Sequence, residues 1–382
     1  MKTIQGIYTS AKIFTTNNCE TAIDNYAVSQ LQMLCDNETA KDCLIRVMPD
    51  VHPGKVGTIG LTMTIRSKLM PNLIGIDIGC GMTLAQIKGK KIEFQKLDTV
   101  IREHIPSGFA IRNKIHRFAY DFALEDLHCY AHIRKDKALH SLGTLGGGNH
   151  FIEADKDDEG NLYIVIHTGS RHLGKEVTEY YLREGQKRLL ANGITIPYEL
   201  TYLEDELLQQ YLHDLEIVQQ FASLNREIIL DELLKGMKWK LLDCYSCIHN
   251  YIDTTKETLQ CFSSPLLRKG AISAKLNEPV IIPINMRDGI ILGNGLGNVD
   301  WNQSAPHGSG RILKREDVKS HFTLSSFKSA MKGIYSTCIN KETLEECPFA
   351  YRAIDEIADC IQDTVKITKI IKPIYNYKAG EN

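Results

Sequence analysis

Four short apolar runs bounded by glycine punctuate the chain, at residues 73–78, 162–166, 280–284 and 290–292. Their length and their isoleucine and valine content predict buried β-strands. Two longer stretches, 176–191 and roughly 203–234, repeat apolar residues every three or four positions. In the second of these Leu208, Leu212, Leu215, Val218 and Ala222 mark one face of an amphipathic helix. A last helix is expected over 350–363. Helices and strands alternate too irregularly for a doubly wound sheet, so the expected class is α+β. No internal repeat, low-complexity tract or Pro/Ser-rich linker divides the chain. The expectation is therefore one domain over 1–382, a central mixed sheet surrounded by helices, with the active site in a central cleft.

Composition narrows the class. With 382 residues, 43% of them hydrophobic, the chain can bury a substantial core. The opening MKTIQGIYTSAKIF lacks a continuous apolar segment, and no run approaches the roughly 20 apolar residues of a membrane helix. A soluble, unexported, cytoplasmic protein is expected, and its eleven cysteines are read as free thiols. A net charge of −2 excludes a nucleic-acid footprint over the whole surface. Any phosphate site must be a local patch or be supplied by metal ions.

The glycines cluster beside His, Cys and Asp, in GIDIGCGM (75–82), LGGGNHFIE (145–153), IHTGSRHLG (166–174) and SAPHGSGR (304–311). Glycine allows positive φ and lets backbone N–H groups approach phosphate oxygens, so such loops suit anionic ligands. Asp77 and Cys80 place a hard carboxylate and a soft thiolate three residues apart. With imidazoles drawn from His150, His167 and His249, the mixed donor set points to a borderline ion such as Mn²⁺, Co²⁺ or Zn²⁺. These residues lie far apart in sequence, so several loops must assemble the site, as in catalytic rather than zinc-finger centres.

Together with PDVHPGKVGTIG (49–60), the dipeptide His249-Asn250 and the terminal YKAG (377–380), these motifs resemble the RtcB family of RNA ligases nearly end to end. The resemblance implies two Mn²⁺ ions bridged by Cys80, one completed by Asp77 and His150 and the other by His167 and His249. It implies that His307 attacks the α-phosphate of the co-substrate GTP and becomes a GMP-histidine. Asn149, His150, Phe151, Ile152, Glu153, His249 and Asn250 match nucleotide-contacting positions. So do Pro283, Ile284, Asn285, Met286, Ile290, His307, Gly308, Ser309 and Gly310, and Lys378 in a helix-ending tail. The implied reaction joins RNA 3′-phosphate or 2′,3′-cyclic phosphate ends to 5′-hydroxyl ends, in tRNA or damaged rRNA. An archease-like activator or a release-factor-like protein would be a partner. An imidazole suits the nucleophilic role, being neutral near pH 7 when its second nitrogen is held by a hydrogen bond.

Where better-known members carry PGSM followed by a serine, this chain has Pro283-Ile284-Asn285-Met286 and Ile290. The difference bears on nucleotide contact and fits a bacterial branch devoted to RNA repair. Candidate RNA-binding cations are Lys55, Arg66, Arg171 and Arg311, with Arg112, Lys114 and Arg117 as a more distant patch. Two other readings keep parts of the constellation: a metal-dependent cyclic phosphodiesterase without ligation, and a silent RNA- or ribosome-binding relative.

Overall fold

The computed structural model describes residues 1–15 and 23–378, and strands occupy its centre. In chain order these are β1 (Lys2–Gln5), β2 (Ser10–Ile13), β3 (Ile45–His52), β4 (Ile59–Thr64), β5 (Lys68–Leu69), β6 (Gly81–Ile87), β7 (Phe151–Lys156), β8 (Leu162–Thr168) and β9 (Leu203–Glu204). There follow β10 (Leu241–Ile248), β11 (Asn250–Asp253), β12 (Leu266–Lys269), β13 (Ala271–Ser273), β14 (Pro279–Asn285), β15 (Gly289–Gly295), β16 (Ser304–Pro306) and β17 (Val365–Lys378). Six form a sheet ordered β1-β2-β3-β4-β12-β11, and seven a second ordered β10-β6-β8-β7-β17-β15-β14. The pairs are antiparallel except β2 with β3. Helices surround these sheets, so the class is α+β. Among the described residues no helix is long and apolar enough to cross a membrane.

Period-two alternation fixes the faces of the seven-stranded sheet. On β8, Leu162, Ile164 and Ile166 pack with Leu97 and Ile101 of the helix Phe94–His104 and with Ile229 and Leu233 of the long helix Asp205–Met237. Tyr163 and Val165 face the other way, against Met82, Leu84, Ile281 and Ile290. Because β14 and β15 pack over β6 and β8, the sheet curls on itself and encloses this second face. The same parity puts His167 of β8 and Glu153 and Phe151 of β7 on the enclosed face, with Asn376 of β17 opposite Glu153 and Lys378 opposite Phe151.

The strands expected at 162–166, 280–284 and 290–292 lie within β8, β14 and β15. The helices expected at 176–191 and 203–234 are Arg171–Ala191 and Asp205–Met237. The run at 73–78 is no strand. A single 3₁₀ turn at Pro71–Leu73 leads into a loop with Gly75 and Gly79 at φ +85° and +71°, a conformation that breaks extended backbone. The last helix shrinks to Ile354–Cys360, and Lys378 ends a strand rather than a helix-terminated tail. Valine, isoleucine, threonine and tyrosine dominate that strand and favour the pleated state, with Pro373 tolerated at a register shift. Ala379 and Gly380 of the YKAG stretch lie outside the described residues.

The long helix also carries Asn225 and Arg226, both fully buried. Asn225 Oδ1 accepts from Gly143 N (2.7 Å) and Thr144 N (3.1 Å), and its Nδ2 donates to the carbonyls of Thr144 and Gly169, both at 3.1 Å. Arg226 Nη1 donates to the carbonyls of Gly79 (2.9 Å) and Thr168 (3.0 Å). Two consecutive side chains thus satisfy the backbone of three glycine-bearing loops where water is excluded. Asn225→Leu strands four buried polar groups, so urea unfolding should show a loss on the order of 3 kcal/mol or more.

Candidate active site

The three clamped loops deliver their side chains to one point. Cys80 Sγ lies 3.5 Å from His150 Nε2 and 3.3 Å from His167 Nε2. His150 Nε2 lies 3.2 Å from Asp77 Oδ2, and His167 Nε2 lies 3.4 Å from His249 Nε2. His249 arrives between β10 and β11, its N–H donating to Cys80 O at 2.8 Å while Gly79 N donates to Asn250 O at 2.7 Å. All five residues expected to hold metal are therefore together, as two triads that share Cys80: Asp77, Cys80, His150 and Cys80, His167, His249. Within each triad the donor atoms lie within 4.8 Å of one another.

The tautomers are fixed from behind. His150 Nδ1 donates to Leu145 O (2.9 Å) and His167 Nδ1 to Asn149 O (3.1 Å), which leaves both Nε2 lone pairs facing the thiol. Burial, reinforced by neighbouring imidazoles, holds His167 and His249 far below the ordinary histidine range, so both stay neutral. Burial would raise Asp77, but the adjoining His150, Cys80 and His167 side chains outweigh it and hold the carboxyl at about 2. Burial and then the Asp77 charge push the Cys80 thiol well up. His249 Nδ1 is buried with no partner among the described residues. Lone pairs converging on a single thiol proton are what a divalent cation completes on displacing that proton, and the mixed set of carboxylate, thiolate and imidazole fits a borderline one.

Beside this cluster His307 stands with its ring centroid 4.9 Å from that of His249. Its Nδ1 is 2.7 Å from Asp50 Oδ2, which also accepts the His307 backbone N–H at 3.2 Å. Asp50 is fully buried on β3, so Nδ1 carries the proton and Nε2 presents its lone pair. Gly310, at φ +74°, lets this loop press against β3, since a Cβ there would meet Asp50 O at 2.7 Å.

His307 opens into a cleft with about 810 Å³ of empty space, open solvent included. Asn149, Phe151, Glu153, His249, the residues 283–286 and His307 to Gly310 line it, as does Lys378. Ile152 and Ile290, also expected to touch nucleotide, are fully buried in the two cores on either side of the sheet and do not line it. His150 and Asn250 lie behind the wall with the ligand cluster, Asn250 donating to Asp77 O at 3.3 Å. Lys378 reaches Glu346 Oε2 at 2.5 Å, and its ammonium stands 5.8 Å from the Phe151 ring centroid. Burial would raise Glu346, but Lys378, Arg315 and Arg311 hold it at about 2.

Asp50, His52, Arg315, Glu346, Tyr351 and Asn376 were not foreseen as site residues. Asp50 and His52 stand inside the PDVHPG motif, and that was their available signal; the others have no glycine punctuation around them. Of the cations expected to hold RNA, Arg311 lines the cleft, paired with Tyr351 Oη (2.9 Å) and Glu346 (3.4 Å). Arg171 braces the 144–150 loop through Thr144 Oγ1 (3.0 Å) and Gly108 O (2.8 Å). Lys55 is exposed, and Arg66 lies away from the cleft against Asp42. Arg112 and Arg117 pair with Glu232 and Asp231, so acidic residues offset the distant patch, leaving Lys114 exposed. A third cluster, His128, His213 and Asp214, differs in that four donors already occupy the Asp214 carboxylate: His128 N–H, Cys129 N–H, Tyr181 O–H and His213 Nδ1.

Comparison with known proteins gives this architecture a class. The family described as tRNA-splicing ligase RtcB matches residues 37–127 and 120–379. The chain belongs to the RtcB family of RNA ligases. Among its relatives, RNA-splicing ligase RtcB of Escherichia coli K12 is 29% identical over 371 residues, covering 88% of this chain and 90% of the relative. RNA-splicing ligase RtcB2 of another E. coli strain is 26% identical over 385 residues, covering 92% and 91%. The tRNA-splicing ligase RtcB of Nanoarchaeum equitans is 27% identical over 412 residues, covering 85% of each.

With the thiol protonated and both buried imidazoles neutral, cation binding should displace the Cys80 proton. Calorimetric Mn²⁺ titration in buffers of different ionisation enthalpy should show one proton released, and affinity rising with pH by at most about tenfold per unit. Cys80→Ser should abolish the release and weaken both sites together.

Proposed function

We propose that this ligase charges His307 with GMP from GTP and uses the adduct to seal RNA 3′-phosphate or 2′,3′-cyclic phosphate ends to 5′-hydroxyl ends. The observation that carries the reading is the Asp50–His307 pair, an imidazole tethered at Nδ1 and free at Nε2 on the wall of an open cleft. Asp77, Cys80, His150, His167 and His249 would hold two Mn²⁺ ions. Bound there, these would neutralise phosphate oxygens and keep nucleophile and leaving group in line.

In the first step His307 Nε2 forms a bond to the α-phosphorus of GTP, and the bond to pyrophosphate breaks. His307 Nδ1 keeps its proton and donates it to Asp50 as a hydrogen bond, and the Asp50 carboxylate offsets the positive charge that develops on the ring. An RNA 3′-phosphate oxygen then takes the guanylyl group, returning the electron pair to Nε2. Finally the 5′-hydroxyl attacks the activated RNA phosphorus, loses its proton and expels GMP, leaving a 3′,5′-phosphodiester. A cyclic phosphate end is first opened by water. Phe151, Asn149 and the 283–286 loop would flank the nucleotide, with Glu153 and Lys378 as its charged contacts. The names of the relatives, RNA- and tRNA-splicing ligases, support RNA as substrate.

Incubation with Mn²⁺ and GTP labelled at the α-phosphate should give a covalent band on a denaturing gel, absent in His307→Ala and with labelled ATP. Asp50→Ala should slow charging by on the order of a hundredfold. No band from metal-loaded protein that still opens a cyclic phosphate would replace ligase with phosphodiesterase.

A further inference from the structure

Two acids meet beside the cleft without enough donors to serve them. Glu153 and Asp155 are two residues apart on β7 and share its enclosed face. Glu153 lines the cleft and is nearly buried; Asp155 lies behind it, fully buried. Asn376, opposite Glu153 on β17, donates its amide to Glu153 Oε2. Among the described residues neither Asp155 oxygen meets an N–H or O–H donor, and Asn376 Oδ1 is also unpartnered. The group in hydrogen-bonding contact with Asp155 is the Glu153 carboxyl itself. Tyr163 of β8, paired across from Asp155, spends its hydroxyl on Asp157 at 2.9 Å. Lys378, the cation whose charge acts on Glu153, is bound to Glu346. Acceptors so outnumber donors that a proton must lie between the two acids, because two buried carboxylates in contact cannot both ionise. Glu153 has the amide of Asn376 and the field of Lys378 to stabilise its charge, whereas Asp155 has neither. Burial raises both acids, and Asp155, facing the Glu153 charge, is raised well beyond the ordinary range.

We propose that Asp155 is a specificity-determining residue: it holds the shared proton and so keeps Glu153 an ionised acceptor for a base edge that presents N–H donors, as guanine does. This inference rests on reading the cleft as a nucleotide pocket. Were the proton on Glu153, the cleft would present an O–H and lose its match to guanine N1–H and its amino group. Asp155→Asn substitutes an amide N–H for the carboxyl O–H and should preserve the preference for GTP over ATP. Asp155→Leu removes the donor that supports the Glu153 charge, so burial should raise Glu153 above its present value of about 7 and protonate it near neutral pH. Replacing a buried carboxyl that lacks donors by an apolar side chain is not expected to prevent folding.

The test is calorimetric titration of GTP and of ATP into Mn²⁺-loaded wild type, Asp155→Asn and Asp155→Leu at about pH 7 and about pH 8.5. The GTP-to-ATP affinity ratio should fall about tenfold or more in Asp155→Leu at the lower pH. It should recover at the higher pH as Glu153 ionises, and stay near wild type in Asp155→Asn. An unchanged ratio in Asp155→Leu overturns the inference, as does loss of the preference in Asp155→Asn, which decides the matter alone if the leucine variant does not fold. Wild-type protein that binds no GTP would overturn the nucleotide reading and this inference with it.

Discussion

Bringing three glycine-bearing loops to one dry point is the constraint on which the rest of this structure depends. Loops carry unpaired backbone N–H and C=O groups, and burying them without partners is costly. Asn225 and Arg226, on a helix whose packing is fixed by a continuous apolar stripe, supply those partners to the residue before Cys80, the residue after His167 and the loop that leads to His150. Arg226 also contributes a buried positive charge close to Asp77 and Cys80. The ligand cluster is therefore held by a rigid helix rather than by the loops' own preferences.

The second organising device is the enclosed face of the curled sheet. Along β8 it runs from Tyr163 through Val165 to His167, and along β7 from Asp155 through Glu153 to Phe151. Strand parity thus carries a hydrophobic core into a chemical surface without any change of element. The aliphatic residues of β14 and β15 that close over this face exclude water, which keeps His167 and His249 neutral and raises Glu153. His307 enters from a separate two-stranded ladder, β13 with β16, and is fixed by Asp50 of the other large sheet. His307 and the cluster around Cys80 are thereby anchored on different sheets and meet at the cleft.

The cluster around Cys80 and the cleft position of His307 were legible because residue types of this kind beside glycine are rare enough to stand out in GIDIGCGM, GGGNHF and SAPHGSGR. Asp50 was legible as part of a motif but not in its role, since nothing in PDVHPG says which imidazole its carboxylate meets 257 residues later. Glu346 and Arg315 left no trace, because an acidic or basic residue in a polar stretch reads as solvated surface until folding buries it against a counter-charge. The 73–78 run was misread because apolar content alone does not reveal that Gly75 and Gly79 turn the backbone.

By itself the sequence determined the alternation that places side chains on one face or another of β8 and β14, the stripe of the long helix, and the residue types available for metal and nucleotide. These follow from local periodicity and side-chain chemistry. The tertiary structure decided which imidazoles share Cys80, which nitrogen of His307 is free, and that Glu153 and Asp155 are left with fewer donors than acceptors. Each depends on distances between segments far apart in the chain and on the exclusion of water around them, and neither is encoded in any short stretch of residues.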